Sequence, residues 1–191
     1  MEVFWISASG IEAHAVAELA VLAARTDGVL WLDLPADEVE TTPALTEVFG
    51  FHGLALRDCR ERSLMPKIHV YADHLFLILH VPEPGAQGHV HLLEIDLFIG
   101  RRYLVTVHGP LGAGVSMATA MRESHEVSDR IAAGRFHPKL PFEIAYAIIS
   151  RQTRHMEAVI AERARTIAGF EQQIMRGQVA DEHRTLEAIF L

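Results

Sequence analysis

The sequence from residue 90 to residue 107 is VHLLEIDLFIGRRYLVTV, and it contains the strongest strand pattern in the chain. From residue 93 to residue 99 every second residue is apolar: Leu93, Ile95, Leu97 and Ile99. A period of two is typical of a β-strand, and the alternating face carries Glu94, Asp96 and Phe98. Gly100–Arg102 interrupts the pattern, and Tyr103–Val107 resumes it as a second apolar run. The stretch therefore predicts a β-hairpin.

Segments upstream of this hairpin extend the sheet. Further strands are predicted at Val3–Ser7, at Val29–Leu34, at Ile68 to Val70 and at Leu75–Val81. Helices are predicted at Ile11–Arg25, at Pro43–Phe49 with Thr42 as a cap, and at Leu54–Glu61. Together they indicate a mixed or antiparallel sheet with helices packed on it.

The chain becomes helical after Gly109-Pro110. A helix is predicted from Val115 to Ala133, and a much longer one from Phe142 to Met175. Apolar or small residues recur along the long helix at steps of three and four: Tyr146, Ile149, Thr153, Met156, Ile160, Ala164, Ile167, Phe170 and Ile174. At about 1.5 Å per residue this helix is roughly 50 Å long. We expect its apolar stripe to pack against another helix or another subunit.

The last segment, Asp181–Leu191, begins a further helical pattern and stops on Ile-Phe-Leu without a cap. We therefore expect that the chain is truncated and that a long helix continues beyond it. The predicted organisation is an α/β domain over residues 1–136 and a helical arm over residues 137–191.

Composition limits the classes of function. Of 191 residues, 50% are hydrophobic, and the formal net charge is -8. Net acidity argues against nucleic acid as a partner and favours cations. The longest strongly apolar run, Leu75–Leu79, is far shorter than the about 20 residues that span a bilayer. Without a signal peptide, and with Cys59 as its single cysteine, the chain is expected to be soluble and cytosolic.

No catalytic motif is present in the sequence. It contains no Gly-rich phosphate loop, no His-Glu-x-x-His and no nucleophile elbow. Cys59 follows Asp58, and an anionic neighbour raises the pKa of a thiol, so a reactive thiolate is not expected. We predict that the chain is not an enzyme and takes no organic cofactor.

Four segments, in this order, resemble the soluble domain of CorA-type divalent metal-ion transporters. They are Trp31–Leu34 with the helix ending in Val48–Asp58, the Pro66–Leu79 region, Glu94–His108, and the helix opening at Pro141–Ile149. The resemblance covers roughly residues 29 to 191.

The resemblance implies a fold and an assembly. It implies an α/β/α sandwich with a mixed, largely antiparallel sheet, followed by long C-terminal helices. It also implies a homopentamer at the cytoplasmic face of the inner membrane, with two membrane helices beyond Leu191 that this chain lacks. The chain would then be a regulatory domain. The transported or regulatory ion would be Mg²⁺ or Co²⁺. Gly53 and Arg57 depart from the family pattern, which leaves a ZntB-like zinc branch open.

Asp58 is the first candidate for a metal ligand. In the family, this position forms one side of an inter-subunit divalent-ion site whose occupancy holds the pore closed. A hard cation such as Mg²⁺ keeps several waters and binds through one or two carboxylates. The partner carboxylate is expected beyond Leu191, so this chain carries half a site. The alternative is a solvated or capping Asp beside Arg57 and Arg60.

His89 and His91 are the second candidate, for Zn²⁺. Two residues two apart point to the same face of a strand, and Glu94 follows closely in sequence. Because a structural zinc site usually has four ligands, adventitious binding is the alternative. For the whole chain a third hypothesis also stands, in which a soluble α/β module binds a partner through its helical arm and moves no ions.

Overall fold

The computed structural model describes residues 1–38, 43–86 and 89–176. Seven strands form one sheet: β1 Glu2–Ser7, β2 Gly10–His14, β3 Val29–Pro35, β4 Lys67–Val70, β5 His74–Pro84, β6 Val90–Gly100 and β7 Tyr103–His108. Their order is β2-β1-β3-β7-β6-β5-β4. The β3–β7 pair is parallel and the other neighbouring pairs are antiparallel. The sheet is therefore mixed and largely antiparallel, as predicted.

Helices cover both faces of this sheet. They are α1 Leu19–Ala23, α2 Gly53–Arg60, α3 Met117–Ala120, α4 Arg122–Ala132 and α5 Pro141–Met175, with a π-helical turn at Ala44–Val48. One core lies between the sheet and α1, the π-helical turn and α2. The other lies between the sheet and the helices α4 and α5. This arrangement confirms the α/β/α sandwich.

The predicted hairpin is β6–β7, and its register pairs Ile99 with Leu104 and Ile95 with His108. Residues 93–100 are buried on both faces of the sheet. The alternation of apolar and acidic residues therefore does not mark a solvent face, and the acids of β6 lie in the core.

The helix predicted over Ile11–Arg25 is wrong at its start. Gly10–His14 forms strand β2, which pairs antiparallel with β1, and the helix is confined to Leu19–Ala23. Gly10 has a φ of 121°, a backbone conformation that side-chain-bearing residues rarely adopt, and it reverses the chain into β2. Pairing with β1 outweighs the helix propensity of the alanines.

The long helix is confirmed as α5. Pro141 occupies its first turn, where a missing N–H costs nothing, and the Glu143 carboxylate accepts the Leu140 N–H at 2.9 Å. The first half packs on the sheet through Ile144 and Ile148, both fully buried. No helix in the described part of the chain is long and apolar enough to cross a membrane. Thr42 and the predicted helix Asp181–Leu191 lie outside the described residues, and the division at residue 136 stays a prediction.

Candidate functional site

Asp58 lies on α2, on the edge of the sandwich. The buried residues Ala55, Leu56 and Cys59 fix this helix against the sheet, and its first turn is capped by His52, whose Nδ1 accepts the Leu54 N–H at 3.2 Å. The Asp58 side chain is 21% exposed and forms an ion pair with Lys67 Nζ at 3.1 Å. A single surface ion pair of this kind contributes little stability.

A buried acid lies beneath Asp58. Asp96 on β6 is fully buried, and its two carboxylate oxygens have no N–H or O–H partner among the described residues. Burial raises the pKa of Asp96 well above its ordinary value; contact with the Cys59 thiol lowers it in part, and the nearby charges of Glu94 and Asp58 raise it further. Burial also raises the pKa of Cys59, and Asp96 adds to the effect. The prediction that Cys59 is a poor thiolate is therefore confirmed.

Glu94 anchors the loop that follows α2. Its Oε2 accepts the Ser63 N–H at 2.8 Å and lies 3.2 Å from His80 Nε2, which is also 2.8 Å from the Ser63 carbonyl oxygen. Burial raises the pKa of Glu94, and these two donors oppose that rise. The network fixes where the chain leaves α2 and so orients the helix that carries Asp58.

His89 and His91 lie at the start of β6, with ring centroids 4.7 Å apart. With Arg62, Pro110 and Val115 they line a cavity of about 220 Å³. Glu94 does not join them, because it binds Ser63 and His80. The structure thus brings the two histidines together and holds Glu94 in the network beneath α2.

The opposite face of the sheet carries a polar cluster that sequence analysis missed. Asp33 Oδ1 accepts from the Thr106 hydroxyl and lies 2.8 Å from His108 Nε2, while Trp31 Nε1 donates to Thr106 Oγ1 at 3.0 Å. All of these side chains are buried. The signal was an acid inside the apolar strand Val29–Leu34, because acids are rarely buried without partners.

Within the described ranges, one group of three or more His, Cys, Asp and Glu side chains is arranged to hold a metal ion. It consists of Glu2, Asp33 and His125. The sequence-predicted ligands Asp58, His89 and His91 do not belong to it.

Comparison with known proteins identifies the family. Residues 26–189 match the sequence model of a family described as CorA-like Mg2+ transporter protein. The chain is 31% identical over 78 residues to the "Putative metal ion transporter YfjQ" of Bacillus subtilis (strain 168), a match that covers 41% of this chain and 24% of that protein.

Solved structures show the same fold. The full-length CmaX protein superposes with a TM-score of 0.75 at 19% identity, covering 96% of this chain and 55% of that one. The CorA magnesium transporter from Methanocaldococcus jannaschii superposes with a TM-score of 0.70 at 14% identity, and the match covers 100% of this chain and 55% of that one. The ZntB cytoplasmic domain from Vibrio parahaemolyticus RIMD 2210633 superposes with a TM-score of 0.65 at 14% identity, and the match covers 100% of this chain and 71% of that one.

The match thus spans about a quarter of the curated relative, and the chain spans about half of the full-length CmaX and CorA chains. The resemblance seen in four sequence segments is confirmed by a match that extends over most of the chain. The chain belongs to the family of CorA-like Mg2+ transporter proteins.

Proposed function

We propose that this chain is the cytoplasmic regulatory part of a divalent metal-ion transporter, attached at the inner face of the cell membrane. The observation that carries the proposal is the family match over residues 26–189, together with the α/β/α sandwich and the long helix α5. The activity it serves is ion transport rather than catalysis, with Mg²⁺ or Co²⁺ as the transported ions.

Asp58 is proposed as one half of the ion-sensing site. Its carboxylate is partly exposed on a helix whose position is fixed by a buried core, and its protein partner, Lys67, is itself 36% exposed. A Mg²⁺ ion bridging Asp58 to a carboxylate of a neighbouring subunit would draw the two subunits together, and loss of the ion would leave two negative charges facing each other. Occupancy would thereby bias the closed state of the channel.

Contact with neighbouring subunits is proposed from the exposed stripe of α5, and a homopentamer is the assembly that the family resemblance implies. Tyr146, Thr153, Ile160, Ile167 and Ile174 are spaced seven residues apart, and all of them are exposed. A stripe with this period is buried when helices pack side by side. We infer that neighbouring subunits cover it in the assembled transporter.

The sensing role is tested with Asp58→Ala in the complete transporter, compared with Glu61→Ala as a matched control on an exposed acid just after the same helix. Millimolar Mg²⁺ is expected to protect the wild type and the control from protease and to protect Asp58→Ala at least several-fold less. Equal protection of all three proteins would contradict a sensing role for Asp58.

The alternative ion is Zn²⁺. The similarity to the ZntB cytoplasmic domain is nearly as great as that to the CorA structure, with TM-scores of 0.65 and 0.70. His89 and His91 would contribute imidazole ligands at the cavity they line, since imidazole suits Zn²⁺ better than Mg²⁺. Uptake of each ion by the complete protein separates the two proposals.

A further inference from the structure

We propose that Glu2, Asp33 and His125 bind one transition-metal dication, of the Zn²⁺ or Mn²⁺ class, within a single chain. This site is separate from Asp58 and from the histidine pair at the start of β6. It lies on the opposite face of the sheet, where α4 covers β1 and β3.

The strand register brings the two carboxylates together. Glu2 of β1 lies directly opposite Asp33 of β3, and both are on the face that α4 covers. Like charges directly opposite each other destabilise a sheet. A cation between them removes this penalty, and α4 supplies His125 at that position.

The donor atoms are close to metal-binding geometry. One donor atom from each residue lies within 4.8 Å of the other two, and His125 Nε2 is 3.2 Å from Glu2 Oε2. Ligands bonded at about 2.1 Å to a tetrahedral metal are about 3.4 Å apart. The Glu2–His125 edge already has this spacing, and the Asp33 donor lies within 4.8 Å of both.

The atoms that would bind the ion have no hydrogen-bond partner. Glu2 Oε2, Asp33 Oδ2 and His125 Nε2 are each buried, and none of them makes a hydrogen bond among the described residues. The Asp33 side chain is 1% exposed, so solvent does not satisfy Oδ2. A buried polar atom without a partner, such as Asp33 Oδ2, destabilises the fold, and a bound cation would remove this cost.

Hydrogen bonds already hold the other oxygen of Asp33. Because the Trp31 indole N–H donates to Thr106 Oγ1, the Thr106 hydroxyl hydrogen is free to point at Asp33 Oδ1. His108 Nε2 approaches the same oxygen at 2.8 Å and also contacts the Ser124 hydroxyl of α4 at 3.2 Å. These contacts hold Oδ1 of the carboxylate and leave Oδ2 without a hydrogen-bond partner, as supporting residues do in known metal sites.

The donor set selects the class of metal. One imidazole and two carboxylates suit Zn²⁺ or Mn²⁺, whereas Mg²⁺ prefers oxygen ligands and retains several waters. The side chains of Glu2 and His125 are each 43% exposed, so an ion can enter from solvent. Three protein ligands leave a coordination position for water.

The test is calorimetric titration of the tag-free chain, stripped of metal with a chelator, with Zn²⁺ and separately with Mg²⁺. His125→Gln and Glu2→Gln remove one ligand each from half-exposed positions, so the core stays intact. His89→Gln/His91→Gln is the control for zinc at the other histidines. We expect one Zn²⁺ site whose affinity falls at least tenfold in either ligand variant, is unchanged in the control, and exceeds the Mg²⁺ affinity at least tenfold.

Thermal unfolding is the second measurement. Zn²⁺ is expected to raise the melting temperature of the wild type and of the control variant, and to raise that of His125→Gln much less. Equal Zn²⁺ affinity and equal stabilisation of wild type and His125→Gln would overturn the site and leave His125 as an ion-pair partner of Glu2. Loss of Zn²⁺ binding in the control alone would also overturn it. Because no ion flux is measured, either result is independent of the transport proposal.

Discussion

Asp33 and Asp96 are both fully buried within strands, on opposite faces of the sheet. The protein accommodates them in different ways. Donors from Thr106 and His108 hold one oxygen of Asp33, whereas Asp96 contacts the Cys59 thiol and has a raised pKa. Burial favours the neutral form of the Asp96 carboxyl.

The raised pKa of Asp96 predicts a pH dependence of stability. In the unfolded chain this carboxyl ionises near pH 4, so above that pH the folded protein holds a proton that the unfolded chain has lost. The free energy of unfolding therefore falls as pH rises from about 4 toward the folded-state pKa, by at most about 1.4 kcal/mol per pH unit. Asp96→Asn removes this term, so its stability relative to the wild type should increase as the pH rises above about 4.

Urea unfolding at several pH values measures this difference. Asp129→Asn, at an exposed position on α4, serves as the control and should keep a constant difference from the wild type. A stability difference for Asp96→Asn that does not change with pH would contradict the assignment.

A substitution at Gly28 tests how tightly β1 is packed. A Cβ at Gly28 would lie 2.5 Å from the Ile6 carbonyl oxygen and 2.6 Å from the ring of the buried Trp5. Gly28→Ala should therefore lower the free energy of unfolding by about 1–3 kcal/mol. Gly53→Ala, at the start of α2 with no atom within 4 Å of the added Cβ, should be neutral or stabilising by about 0.4–1 kcal/mol. Equal denaturation midpoints for the two variants would refute the steric argument.

At the scale of elements, sequence periodicity predicted the hairpin β6–β7 and the helix α5 because each pattern is long and each interruption is a turn residue or a proline. It failed at Gly10–His14, where five residues within the predicted helical segment pair with β1 instead. Partners distant in the sequence decide such short segments, and periodicity contains no information about them.

The exposed stripe of α5 gives an element-scale prediction. Ile160 and Ile167 are each 59% exposed in the single chain, which leaves apolar area that assembly would bury. In the complete transporter, Ile160→Asp/Ile167→Asp should lower the thermal stability of the oligomer, while Gln173→Asp, an exposed polar position on the same helix, should not. Light scattering during a temperature ramp measures the temperature at which the oligomer dissociates. Equal resistance of both variants to dissociation would show that the stripe faces no subunit.

The candidate site was predictable only in part. Asp58 and the histidine pair were found from residue type, spacing and family resemblance, which need no tertiary information. Glu2, Asp33 and His125 are separated by 31 and 92 residues and carry no motif, and only the β1–β3 register and the packing of α4 bring them together. A site assembled by register across the sheet is not visible in local sequence.

At the scale of the whole molecule, the sandwich places possible cation ligands on both faces of one sheet. Asp58 is on α2, on one face of the sheet. Glu2, Asp33 and His125 lie together on the other face, where α4 packs. The net charge of -8 favours cations at either position. Most residues in the second half of α5 are exposed.

Ion flux across a membrane is the direct test of the proposal that this chain is part of a divalent metal-ion transporter. The complete gene product, reconstituted into liposomes that contain a Mg²⁺-sensitive or Zn²⁺-sensitive dye, should admit Mg²⁺, Co²⁺ or Zn²⁺ faster than protein-free liposomes. We expect flux of at least one of these ions above the protein-free rate. No flux of any of the three, from protein shown to be inserted and folded, would contradict it.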